Sequence, residues 1–185
     1  MKKIILVLLI VLVILIVAVT GLYNGLVSKH EAITAKWAQI ENQLQRRNDL
    51  IPNLLNTVKG YASHEKTVLE NVTLARSQWA KASTVEEKVK AAGAVDAALS
   101  RLLFVAENYP NLKADQTFLK LMDELSGTEN RIAVERMRYN EAVRDYNVTV
   151  RMFPGNIIAA RFGYKPATEY FKAEEKAKSV PEIKF

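Results

Sequence analysis

A chain of 185 residues that is 49% hydrophobic and 25% charged has the size and composition of one folded domain, which excludes a disordered or low-complexity protein. It has no cysteine, which excludes disulfides, thiolate chemistry and sulfur-ligated metals. The net charge is +6, of which Lys2 and Lys3 supply two, and the +4 left is a modest excess that fits an acidic surface nearby better than nucleic acid.

The first element runs from Ile4 to Thr20, "IILVLLIVLVILIVAVT", without a charge. About 17 residues, or about 20 when Gly21 to Tyr23 are included, suffice to cross a bilayer as a helix. Tyr23 falls where an interfacial aromatic sits, and Lys2 and Lys3 flank the other end. A cleaved signal peptide is the competing reading, but its apolar core is about 7–15 residues and ends in a small-residue site that Ala18 to Thr20 imitate poorly. The expectation is an uncleaved single-pass anchor over residues 1–27, with a cytoplasmic N-terminus and the soluble part on the exported side. Lys29 and Lys36 beyond the run compete with Lys2 and Lys3 in setting that orientation.

Beyond the anchor, apolar residues recur at steps of three and four. Ile33, Trp37, Ile40, Leu44, Ile51, Leu54 and Val58 form one stripe. Val68, Val72, Ala75 and Trp79 form a second, which can begin at Ser63 after Gly60; the pattern suits either one continuous helix or two. Ser83 with Glu86 reads as a capping box opening a third helix, striped by Val85, Val89, Ala92, Val95, Leu99, Leu102 and Ala106 and ended by "NYPNLKAD" at 108–115. The last long helix carries Phe118, Met122, Leu125, Ile132, Tyr139, Val143, Tyr146, Val150 and Phe153, and Pro154 stops it. Asn156 is placed to cap a short helix closed by Gly163. The tail alternates Val180, Ile183 and Phe185 at its end, as a docked extended segment would.

Each helix has one apolar face, so the faces must bury one another. The fold class expected is all-α: an N-terminal transmembrane helix, then an antiparallel four-helix-type bundle of long helices over 28–165, then a partly extended tail over 166–185.

Continuing the stripe from Leu44 to Ile51 lands on Arg47, and in the last helix the same step lands on Glu129 and Arg136. An unpaired buried charge costs several kcal/mol or more, so each needs a partner or water. Arg47 with Glu129 is the preferred pair, and these three residues form the expected structural polar layer. The alternative is that each long side chain snorkels out at the seam's edge. Pro52 removes the hydrogen bond to the carbonyl four residues back, that of Asn48, so a bend is expected between Arg46 and Pro52. Either Asn48 or Asp49 caps a restarted helix there, or one kinked helix runs through.

The stretches "YNGLVSKHEAITAKWAQIENQLQRRNDLIPNLLNTVKGYASHEKTVLENVTLAR", Tyr23 to Arg76, and "LMDELSGTENRIAVERMRYNEAVRDYNVTVRMFPGNIIAARFGY", Leu121 to Tyr164, resemble the LemA family of bacterial membrane proteins. The patterns RRxDLIPNL and YNxxVxxYNxxxxxFP and the VPxIxF-like ending carry the resemblance over nearly the whole chain. It implies an N-terminal anchor and a soluble antiparallel helical bundle. It implies no catalytic residue, since the family has no established reaction; its associations are with envelope physiology, membrane protease neighbours and, in relatives, magnetosome membranes.

Sites for chemistry are few. His30 and His64 are each followed by glutamate, and neither has the spacing of a helical metal site, so no metal and no cofactor are expected. Tyr139 with Asn140 and Tyr146 with Asn147 lie one heptad apart, as core aromatics with amides beside them, or as a ladder that binds a peptide or head group. Arg131, Arg138, Arg144, Arg151 and Arg161 bias this region towards anionic lipid rather than nucleic acid. The expected function is a non-enzymatic membrane-anchored scaffold. It meets lipid through the anchor and binds protein partners, a homo-oligomer included. The alternative is a sensor or accessory domain for a lipid head group or small ligand.

Overall fold

The computed structural model describes residues 2–171, and among them every regular element is a helix. In chain order these are α1 (Lys2–Tyr61), α2 (Lys66–Lys81), α3 (Val85–Ala106), α4 (Pro110–Lys113), α5 (Gln116–Arg151) and α6 (Gly155–Phe162). Of the tail expected over 166–185, residues 166–171 carry no regular structure, and Val180, Ile183 and Phe185 lie outside the described residues.

α1 is a single helix of 60 residues, so the apolar run and the first amphipathic stripe are one element. Every residue from Ile4 to Val17 is between 51% and 66% exposed, which makes the helix apolar on all its faces there. A helix greasy all round is stable in lipid, not in water. α1 also runs unbroken through Pro52, so neither Asn48 nor Asp49 restarts it. Asp49 instead lies on the exposed face and accepts a bond from the Gln45 amide at 2.7 Å.

α1 and α2 are separate helices. Ala62 N–H still bonds to the Val58 carbonyl, a turn follows, and α2 starts at Lys66 rather than Ser63. The cap of α3 sits one residue later than expected, at Thr84. Two overlapping S/T-x-x-E patterns compete there, and Glu87 wins because its carboxylate collects the Ser83 and Thr84 backbone N–H groups and the Ser83 hydroxyl at 2.9–3.1 Å. Within "NYPNLKAD" the proline opens α4, whose Leu112 is fully buried. Asp115 then caps α5, accepting from the N–H groups of Thr117 and Phe118 at 2.8 and 2.9 Å.

At the other end of α5, Phe153 leaves the expected stripe and is 78% exposed, because the helix has already ended at Arg151. α6 begins at Gly155 with Pro154 at its cap position, so Asn156 lies in the first turn and does not cap it. A Cβ on Gly155 would come within 2.2 Å of the Thr149 carbonyl oxygen, so only glycine allows this backbone approach. Gly163, in the left-handed region at φ 79°, closes α6.

The chain divides into two compact units. One gathers the described residues of Met1–Ile40 and Val134–Phe185, the other is Glu41–Ala133. In the first, Leu26, Tyr146, Val150, Ile158 and Ala159 form a core, packed round by Val19, Leu22, Tyr23, Ile33, Tyr164 and Ala167. In the second, Leu44, Ile51, Leu54 and Val58 of α1, Val72 and Trp79 of α2, Val95 and Leu102 of α3, Leu112, and Leu125 and Ile132 of α5 are buried. Burying a large aliphatic side chain stabilises a fold by about 1.5–3 kcal/mol, so these stripes account for the helices that carry them. Contacts pairing 47 with 129 and 61 with the α5 cap residue 115 in one unit, and 29 with 149 and 37 with 139 in the other, make α1 and α5 antiparallel within each.

Candidate functional site

Arg47 is 3% exposed. Its guanidinium reaches two carboxylates through the same nitrogen, Asp96 of α3 at 2.5 Å and Glu129 of α5 at 2.7 Å. The arginine is buried while its partners are not: the Asp96 and Glu129 side chains keep 32% and 55% exposure. This removes most of the cost of desolvating the anions, yet a buried cation still meets two negative charges. Three helices thus converge on one guanidinium. Arg136, the third residue of the expected layer, stands elsewhere. It is half-buried, with its guanidinium carbon 5.3 Å from the centre of the Phe171 ring, a cation–π contact.

One residue beyond Arg47, the Asn48 carbonyl is the one that Pro52 deprives of its helical donor. Arg76 of α2 supplies a replacement, donating from Nε at 3.2 Å. The Asn48 side chain bonds back to the Leu44 carbonyl at 3.2 Å. A proline inside a helix is therefore compensated from outside by a neighbouring helix.

The heptad-spaced tyrosine–asparagine pairs of α5 hold a strand-like stretch of this same chain. Asn147 donates from its amide to the Ala167 carbonyl and accepts from the Ala167 N–H, both at 2.8 Å. Asn140 does the same with Phe171, at 2.9 Å in each direction. A primary amide offers one donor and one acceptor side by side, so each asparagine pairs with a backbone unit as a neighbouring β-strand would. Seven helical residues advance about 10 Å along α5, and four residues cover that only when drawn well beyond helical spacing. Tyr146 adds a bond from its hydroxyl to the Lys165 carbonyl at 2.9 Å, and the Tyr170 hydroxyl accepts from Asn147 at 3.0 Å. At the far end Phe171 stacks on Trp37 at 6.1 Å between ring centres and meets the edge of Tyr139 at 5.4 Å.

Burial raises the phenol pKa of Tyr146, and it raises that of Tyr139 with a smaller push from the Glu169 carboxylate. Both hydroxyls therefore stay neutral across the physiological range. Of the arginines expected to bias α5, Arg138 pairs with Glu135 at 2.6 Å and Arg144 with Asp145 at 3.0 Å, while Arg131, Arg151 and Arg161 are exposed. His30 lies edge-on to Tyr146 and Tyr164, with ring centres 5.4 and 5.7 Å away, and His64 is exposed in the α1–α2 turn.

Sequence reasoning brought Arg47 and Glu129 together but missed Asp96, Arg76 and the 165–171 segment. Asp96 sits beside Val95, off the apolar stripe, so the helical rhythm passes over it. The asparagine amides themselves grip the backbone of Ala167 and Phe171, a contact that leaves no side-chain pattern to read.

The LemA family profile matches residues 36–185. Among curated proteins, the chain is 30% identical to magnetosome proteins MamQ 1 and MamQ 2 of Paramagnetospirillum magneticum, each alignment covering 87% of this chain and 68% of the relative. It is 27% identical to protein LemA of Metamycoplasma hominis, over 76% of this chain and 65% of the relative. None of these names is that of an enzyme. With its all-helical fold, its apolar N-terminal helix and a match over most of its length, this membrane-associated chain belongs to the LemA family.

Proposed function

We propose that the chain is a non-enzymatic scaffold of the bacterial cytoplasmic membrane that crosses once through α1, displays its helical units on the exported side and gathers protein partners, further copies of itself among them. The observation that carries this reading is how its polar side chains are used. Arg47 is engaged by Asp96 and Glu129, and Asn140 and Asn147 by the chain's own backbone, so the groups best suited to chemistry hold the chain's own helices and its 165–171 segment in place. The continuity of α1 supports it as well, because the helix that carries the apolar run also lines the second unit. Relatives named for the magnetosome support a structural role over a metabolic one.

Crosslinking the full chain in native membranes, followed by mass spectrometry, tests the scaffold. One recurrent partner or a homotypic product is expected, and monomer alone contradicts it. A C-terminal alkaline phosphatase fusion tests the orientation, with high activity expected and an inactive, stably made fusion contradicting it. The second reading, recognition of a lipid head group, is favoured by the exposed Arg151, Arg161 and Lys165 around α6.

A further inference from the structure

We propose that the α6 turn is a second membrane contact: Met152, Phe153, Ile157 and Phe162 seat in the interfacial layer of the bilayer that α1 crosses, with Arg151, Arg161 and Lys165 on lipid phosphates. This rests on the reading of the apolar run of α1 as a membrane anchor.

The position follows from the length of α1. From Ile4, a helix rises about 30 Å in 20 residues, the thickness of a hydrocarbon core, which puts Tyr23 at the far boundary. Tyr23 and Phe162 are ring neighbours, with centres 4.7 Å apart. Val19 and Leu22, within the turn that precedes Tyr23, already pack on the core that holds Ile158 and Ala159. The unit therefore closes over the last turn of the apolar run, and α6 lies at the level where lipid head groups begin.

α6 is amphipathic in a way that water alone does not explain. Ile158 and Ala159 face inward, whereas Ile157 is 58% exposed, Phe162 51%, Met152 61% and Phe153 78%. Four large apolar side chains within 11 positions are left on the surface beside an anchor, where a lipid interface can take them. The charge agrees. From Tyr146 to Thr168 there is no acidic residue, and the three basic ones, Arg151, Arg161 and Lys165, are exposed. Tyr164, whose ring edge meets Tyr23 at 6.4 Å, adds an aromatic of the kind that favours the interface.

The absence of cysteine makes a direct test clean. Single nitroxide labels on Phe153→Cys and Ile157→Cys in the full chain, reconstituted in vesicles of phosphatidylethanolamine and phosphatidylglycerol, report collisions with oxygen, which enriches in lipid, and with a water-soluble nickel chelate. Leu12→Cys marks the anchor and Lys90→Cys the aqueous reference. The expected result is an oxygen-to-nickel ratio at 153 and 157 several-fold above that at 90 and below that at 12. Ratios at 153 and 157 equal to that at 90, with 12 in lipid, overturn the second contact and leave the anchor standing. An aqueous ratio at 12 overturns the anchor and this contact with it. Replacing the anionic lipid with phosphatidylcholine is expected to lower the ratio at 157, and an unchanged value overturns the ionic part of the proposal.

Discussion

Arg47 is almost wholly withdrawn from water, whereas Asp96 and Glu129 are not, so the members of this centre differ in what their loss does. Asp96→Asn or Glu129→Gln alone leaves the guanidinium one anion and is expected to cost about 1 kcal/mol. The double variant strands a buried cation and is expected to cost about 3–5 kcal/mol. Arg47→Met lets both carboxylates hydrate and falls below the double variant. Urea melts of the variants give this ranking, and an Arg47→Met more damaging than the double neutralisation contradicts it. Pro52 and Arg76 make a second residue-scale case. Arg76→Met is expected to cost about 1 kcal/mol, because the Asn48 carbonyl loses its outside donor. In a Pro52→Ala background the new amide serves that carbonyl within the helix, and the penalty for losing Arg76 should largely vanish. A double-mutant cycle reads this as a coupling of about 1 kcal/mol, and strict additivity would refute the compensation.

At the scale of elements, the asparagine ladder ties α5 to the 165–171 segment through backbone bonds. Asn147→Ala removes the bonds to Ala167 and Tyr170 together, so chymotrypsin should cut faster at Tyr170 and Phe171 while far-ultraviolet dichroism is unchanged. Cutting at the parent rate contradicts the clamp. The helix caps carry a pH dependence. Asp115 is held below the usual carboxylate range chiefly by the Phe118 N–H, then by the Tyr61 hydroxyl, and Glu87 chiefly by the Ser83 N–H. In both, the folded state prefers the anion, so their contribution is present above the ordinary carboxylate pKa of about 4 and is lost as pH falls through the lowered values. Asp115→Asn should flatten the loss of stability below about pH 4, and an unaltered acid limb contradicts that assignment.

Much of this architecture was legible because helical periodicity is a local signal: the stripes of α1, α3 and α5 are largely buried as spaced, and a charge on a stripe announced Arg47. What the sequence hid depends on which side chain arrives from another element. Asp96 and Arg76 stand on positions that any solvated helix face would allow, and only the packed neighbours give them a role. The shift of the α3 cap from Ser83 to Thr84 is of another kind, two valid local patterns decided by how many donors one carboxylate can gather.

For the molecule as a whole, α1 does two things at once, since its first part is an apolar run long enough to cross a membrane and its remainder lines both compact units. Under the scaffold function proposed above, the helical units are expected to recognise partners and the apolar run to supply only location. The most direct measurement is therefore crosslinking in native membranes, comparing the full chain with a version whose residues 2–18 are replaced by an unrelated apolar sequence of the same length, leaving Val19 on the core. The same recurrent crosslinked species is predicted from both, and monomer alone from either would contradict the account.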